Sequence, residues 1–282
     1  MTATSPLVST AWLAARLGDP AVQILDATWF MPGEPKSGRA EYLKAHIPGA
    51  VFFDIDEISD TSVDLPHMLP TPEAFARAAG ALGLRRDAKI VVYDGAGIFS
   101  APRVWWTLRT MGFPDVGVLD GGLKLWQAEG RPVEAAETPV AATVVAATFQ
   151  PERVRDLAAV TAHLSSGDSQ LVDARAGPRF RGEVAEPRAG LRSGHMPGAL
   201  NVAWNALVAE DGTLKPAADL RAAFTAAGVD LTRPIVATCG SGVSAALLAL
   251  GLAQIGRDDV AVYDGSWTEW GGRADTAVVT GP

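Results

Sequence analysis

The chain of 282 residues contains a single cysteine, Cys239. One cysteine excludes a disulfide within the chain and fits a reducing compartment, which predicts a cytoplasmic protein. Four histidines, scattered at positions 46, 67, 163 and 195, form no cluster with that cysteine, so neither a metal site nor another cofactor is expected. No run reaches the roughly 18 apolar residues that a membrane helix needs, and no membrane partner is expected. Residues 1–10 have neither a basic stretch nor a long apolar core, which predicts no signal peptide. Positive charge is also short. Lys and Arg number 24 against 32 Asp and Glu, a net charge of −8 with pI near 5.0, which argues against a nucleic-acid partner.

What the chain does have is apolar material and an internal echo. At 48% hydrophobic and 20% charged residues it can bury substantial cores, and its length suggests two domains. The second half repeats the first. A strand ending at Asp26 is echoed by one ending at Asp173, and Ala45-His46-Ile47-Pro48-Gly49-Ala50 by Gly194-His195-Met196-Pro197-Gly198-Ala199. Ile90-Val91-Val92-Tyr93-Asp94-Gly95 aligns with Ile235-Val236-Ala237-Thr238-Cys239-Gly240, and Asp120-Gly121 with Asp264-Gly265. Short apolar strands alternating with helical segments predict an α/β fold, with a parallel sheet covered by helices on both faces in each half. Residues 136–150, rich in Ala, Thr and Val without a strong pattern, read as a linker between domains spanning 1–135 and 151–282.

The duplication is chemically asymmetric, because Asp94 stands where Cys239 stands. Residues 235–237 read as a buried strand, 243–255 as a buried helix, and Gly240 and Gly242 between them permit a tight turn with φ > 0. A strand–turn–helix of this kind gathers backbone N–H groups, here of Gly240, Gly242, Val243, Ser244 and Ala245, into a nest for an anion at a helix N-terminus. An isolated cysteine is more often a buried small hydrophobe than a nucleophile. The glycines and the strand-end position favour the nucleophile for Cys239. A carboxylate cannot accept and pass on sulfur, so the first half is expected to lack that chemistry. The cationic help that an anionic partner would need is absent from the loop. It is sought among the arginines of 175–188, because a guanidinium grips a carboxylate in two places. Arg181 and Arg192 read as solvated loop charges.

On Cys239-Gly240-Ser241-Gly242-Val243, Arg179-Phe180-Arg181-Gly182, Glu186-Pro187-Arg188 and the closing Tyr263-Asp264-Gly265-Ser266-Trp267-Thr268-Glu269-Trp270, the chain resembles the tandem-domain rhodanese family. Within that family it is similar to the members that use 3-mercaptopyruvate. The resemblance spans nearly the whole chain. It implies two tandem rhodanese-like domains, only the second catalytic. It also implies a sulfurtransferase whose Cys239 takes sulfur as a persulfide, releases pyruvate and passes the sulfur to a small thiol, cyanide or thioredoxin. Arg179 and Arg188 match the family's substrate-binding pair. Ser241 matches a loop serine proposed in the family to act with a histidine and an acid of the first domain. His46 is assigned as that histidine, and Glu34 is the acid nearest the place of its partner. His195 holds the matching place in the repeat, so a turn-capping role for His46 stands beside the catalytic one. Two other functions stay open. One is thiosulfate sulfurtransferase, whose loop in the family carries basic residues where Gly240 and Ser241 stand. The other is a non-catalytic sulfur carrier or interaction module. A phosphatase of related fold would need an arginine closing the loop, and Val243, Ser244, Ala245 and Ala246 supply none.

Overall fold

Strands that are apolar at every position, rather than alternating, must be buried on both faces. The computed structural model describes residues 5–282 and builds such a sheet twice. The chain divides into two compact units, one of residues 5–60, 69–150 and 209–214, the other of 61–68, 151–208 and 215–282. Each unit therefore takes a short arm from the other half of the chain. The arms occupy matching places in the repeat, after the third strand of each half.

In the first unit, β1 (Leu7–Val8), β2 (Val22–Asp26), β3 (Ala50–Phe52), β4 (Lys89–Tyr93) and β5 (Val116–Leu119) form a sheet of order β1-β5-β4-β2-β3. All its pairings are parallel, with Asp26 beside Tyr93 and Phe52. Its helices are α1 (Thr10–Ala14), α2 (Gly38–Lys44), α3 (Pro72–Ala81), α4 (Ala101–Thr110) and α5 (Gly122–Ala128). Side-chain oxygens of Ser9, Ser37 and Thr71 cap α1, α2 and α3, the residue types expected at those positions. Leu13, Ile24, Val91, Leu119 and Trp126 pack together beside the sheet.

The second unit repeats the five strands and five α-helices in the same order. Strands β6 (Val154–Arg155), β7 (Gln170–Asp173), β8 (Leu200–Asn201), β9 (Ile235–Thr238) and β10 (Ala261–Tyr263) take the order β6-β10-β9-β7-β8, again all parallel. Helices α6 (Leu157–Ser166), α7 (Gly177–Phe180), α8 (Ala217–Ala226), α9 (Val243–Gln254) and α10 (Ser266–Gly272) complete it. The α9 helix is apolar nearly all round because it is enclosed. Leu247, Leu248, Leu250 and Leu252 have no exposed surface, and each such side chain stabilises the fold by about 1.5–3 kcal/mol.

Residues 136–150 form neither helix nor strand, and belong to the first unit. They lie along it as a strap: Thr143 N–H donates to the Gly80 carbonyl at 2.9 Å and Thr148 N–H to that of Met111 at 2.9 Å. A Cβ on Gly80 would come within 2.6 Å of the Thr143 carbonyl oxygen, so the close approach of strap and α3 requires glycine there.

Candidate active site

In an open parallel sheet, ligands bind beyond the carboxyl ends of the strands. The central strand β9 is buried along its whole length and delivers Cys239 to that end. Gly242, at φ +81°, turns the chain into α9, whose N-terminus no side chain caps. The N–H groups of an uncapped first turn are available to an anion.

The matching loop of the first unit displays what such a nest holds. The Asp94 carboxylate accepts N–H bonds from Ala96, Phe99, Ser100 and Ala101 at 2.8–3.0 Å. Burial pushes this carboxyl up from its ordinary value, and those N–H groups pull against the shift. The first loop is thus filled by its own anion. In the second, a thiol occupies the corresponding chain position. Cys239 is 2% exposed and is held from behind: its N–H donates to Ser266 Oγ at 3.2 Å and its carbonyl accepts from Trp267 N at 2.9 Å. The Gly240 carbonyl accepts from both the N–H and the Oγ of Thr268, at 2.8 and 2.6 Å.

The arginine segment lies against this loop. A Cβ on Gly240 would stand 3.1 Å from Arg179 Nη2, which puts the guanidinium of Arg179 directly over the backbone beside the cysteine. Arg179 is fixed there by Glu186, which accepts from its Nη2 at 2.6 Å and its Nε at 3.2 Å. Glu186 is in turn anchored by Arg175 Nη1 at 3.0 Å, and Arg175 by Asp173 at 2.7 Å and the Gly194 carbonyl at 2.8 Å. Burial draws the Arg175 guanidinium down, but Asp173 and Glu186 outweigh it and its value is raised. Its face also packs on Trp267, 4.2 Å from the ring centroid. Two carboxylates and two guanidiniums balance in charge, and the chain of pairs runs from the end of β7 to the cysteine loop. Arg188 is half-buried on the same segment, two residues after Glu186.

Of the other assigned residues, Gly240, Ser241, Gly242, Val243, Ser244 and Ala245 form the loop and the first turn of α9 as expected. Arg181 pairs at the surface with Glu183 at 2.6 Å. Arg192 is not a solvated charge. It donates to the carbonyls of Trp270, Gly271 and Thr276, tying down the end of α10.

The histidines separate. His46 lies in the first unit and is almost completely buried, with Nδ1 on the Tyr42 carbonyl at 2.8 Å and Nε2 3.3 Å from Thr138 Oγ1 and from Glu134 Oε1. His195 is used in the same way, with Nδ1 on the Phe180 carbonyl at 2.8 Å and its ring stacked on Phe180. Glu34 is exposed and binds its own turn, accepting the Met31 N–H. The histidine beside the loop serine is His67, from the arm of 61–68, whose Nδ1 is 3.0 Å from Ser241 Oγ. His67 is buried and takes φ +63°. A signal for it was present in the repeat: the matching arm of 209–214 holds no histidine, whereas His46 has a twin. Among the described residues, no group of three or more His, Cys, Asp or Glu side chains could hold a metal ion. No helix among them is long and apolar enough to cross a membrane.

A sheet repeated with one loop sealed by a carboxylate and the other carrying a cysteine defines a class, and comparison with known proteins agrees. The rhodanese-like domain family matches the chain twice, over residues 9–129 and 156–273. The chain belongs to the rhodanese family, as a tandem of two rhodanese-like domains. It is 47% identical over 276 residues, covering 98% of each chain, to 3-mercaptopyruvate sulfurtransferase of Escherichia coli K12. It is 44% identical over 275 residues, covering 95% of this chain and 92% of the relative, to thiosulfate sulfurtransferase of Bos taurus. Among solved structures, that of SseA from Escherichia coli, described as a 3-mercaptopyruvate sulfotransferase, matches with a TM-score of 0.87 at 44% identity, over 94% of this chain and 99% of that one.

Proposed function

We propose that the protein is a sulfurtransferase that takes sulfur from 3-mercaptopyruvate onto Cys239 and hands it to a thiol or to cyanide. Relatives named for mercaptopyruvate and for thiosulfate are similar to this chain to nearly the same degree, so overall identity does not choose the donor. The observation that carries the choice is Arg179 over Gly240. The glycine leaves room for a guanidinium that reaches the site from a separate segment, with a planar fork suited to the carboxylate of an α-keto acid. Arg188 is assigned as the second arm of that grip.

In the reaction, the Cys239 thiolate attacks the sulfur of 3-mercaptopyruvate. The carbon–sulfur bond breaks, and its electron pair passes to the carbonyl as the enolate of pyruvate. Ser241, hydrogen-bonded to His67, delivers the proton that turns the enolate into pyruvate. The relay assigned to His46 from sequence passes to His67, on the 3.0 Å contact with Ser241. The persulfide rests among the N–H groups of 240–245, a preorganised electrostatic site. An acceptor thiolate then attacks the outer sulfur, and Cys239 leaves as thiolate. Small thiols, cyanide and thioredoxin all carry the required nucleophile. A free cysteine as the working group fits a reducing compartment and supports a cytoplasmic location.

Intact mass after mixing with 3-mercaptopyruvate or, separately, thiosulfate tests the reading, with pyruvate followed alongside. The expected result is a gain of one sulfur with mercaptopyruvate, matched by pyruvate, lost on adding a thiol and absent in Cys239→Ser. A gain with thiosulfate alone moves the protein to that donor. No gain with either leaves a binding module.

A further inference from the structure

The two halves make the same contact behind their loops, and they make it with different residues. Gly122, first residue of α5, has φ +54°, and the next residue, Leu123, donates its N–H to the Asp94 carbonyl at 3.0 Å. Ser266, first residue of α10, has φ +50°, and Trp267 donates to the Cys239 carbonyl at 2.9 Å. A Cβ on Gly122 would come within 2.5 Å of the Asp94 oxygen and 2.3 Å of the Gly97 oxygen, so the first half requires glycine there. The second half keeps the same left-handed conformation but places a side chain on it. A serine in this region is strained, and such strain persists only where surrounding contacts enforce it.

The contacts are those of its hydroxyl. Ser266 is fully buried, donates from Oγ to the Tyr263 carbonyl at 2.8 Å, and accepts the N–H of Cys239 at 3.2 Å. The N–H and the carbonyl of Cys239 belong to the two peptide planes flanking its Cα. Ser266 Oγ holds the first plane and Trp267 N–H the second, so both backbone torsions of Cys239 are fixed and only χ1 is left to aim the sulfur. We infer that Ser266 is a positioning residue for the nucleophile, carrying a left-handed backbone so that its hydroxyl can fix the orientation of Cys239. The inference rests on Cys239 being the sulfur-accepting group.

Ser266→Gly separates hydroxyl from conformation, because glycine takes φ +50° without strain, as Gly122 does. The expected variant folds with Tm within a few degrees of the native protein. Its kcat with 3-mercaptopyruvate falls about tenfold or more while KM changes by less than about twofold, since misdirecting a reacting atom is costly without weakening binding. Iodoacetamide alkylation of Cys239, the sole cysteine, slows in parallel. Ser266→Ala, which also lacks the hydroxyl but keeps the strained backbone, shows the same loss of kcat with a lower Tm. Native kcat and native alkylation rate in folded Ser266→Gly overturn the inference. So does an activity loss in both variants that only tracks their folded fraction. If the native protein gains no sulfur from either donor, the functional reading falls instead, and the alkylation rates still report whether Ser266 orients the thiol.

Discussion

Ser241 and His67 meet at 3.0 Å although they are 174 residues apart in the chain. A periodicity or spacing argument cannot find such a pair. The motif around His46 repeats cleanly at His195 although only one half carries a cysteine, which favours a structural role for His46. His67→Ala is expected to lower kcat by about 10²–10⁴-fold, the usual contribution of one proton-transfer group, with KM for 3-mercaptopyruvate little changed. His46→Ala is expected to lower Tm and leave kcat of the folded protein near native. Steady-state kinetics beside thermal melts separate the two, and equal kcat losses would return the relay to His46. Arg188 is assigned from the motif alone. Arg188→Ala is expected to raise KM for 3-mercaptopyruvate by about tenfold or more, at the scale of one charge-assisted pair, and to affect thiosulfate use far less. Glu186 was not legible as the holder of Arg179, because a carboxylate seven residues away becomes a partner only once the segment after β7 folds back on itself.

At the scale of elements, legibility followed burial. Strands β4, β5 and β9 stand as mostly apolar runs in the sequence, and β2 and β7 carry shorter ones at Ile24-Leu25 and Leu171-Val172, because both faces of their sheets are covered. The helix α9 stands out for the same reason, Val243–Gln254 against the expected 243–255. Strands β1, β6 and β8 have two residues each. Their existence is decided by the free edge of a neighbouring strand, which a pattern of two residues cannot record. The strap of 136–150 looked like a linker because its hydrogen bonds go to backbone groups of other elements, and its side chains need no periodicity. The Asp94 loop gives an element-scale test. Asp94→Asn keeps the shape of the side chain but presents a donor to N–H groups that now bind carboxylate oxygens. A loss of about 1–3 kcal/mol is expected, the cost of leaving a buried donor unsatisfied, read from urea unfolding. Persulfide formation per folded molecule is expected to stay native, because the second unit has its own loop.

At the scale of the whole molecule, duplication has left one buried acid without an arginine partner. Asp173, at the end of β7, is paired by Arg175, two residues on. Asp26, at the matching end of β2, has Thr28 in that place: the Thr28 N–H donates to its Oδ1 at 2.8 Å, and the Thr28 and Tyr93 hydroxyls also act on the carboxyl, but no arginine does. Its Oδ2 is buried with no hydrogen-bond donor among the described residues. Burial pushes the Asp26 carboxyl up to about 6 from 3.8, against the pull of Thr28 and Tyr93. Between those two values the folded protein holds a proton that the unfolded chain has released. Stability contributed by that proton is therefore present at low pH and is lost as pH rises through about 6. The whole effect is up to about 3 kcal/mol. Asp26→Asn removes the buried charge while its amide oxygen still accepts from Thr28. The variant is expected to melt several degrees above the native protein at pH 8 and to match it near pH 4, where the native carboxyl is protonated. Other carboxylates titrate in the acid range in both proteins alike, so the difference between the two melting curves across pH isolates Asp26. A constant difference from pH 4 to 8 would mean that the amide changes packing and that the charge is not what destabilises the first unit.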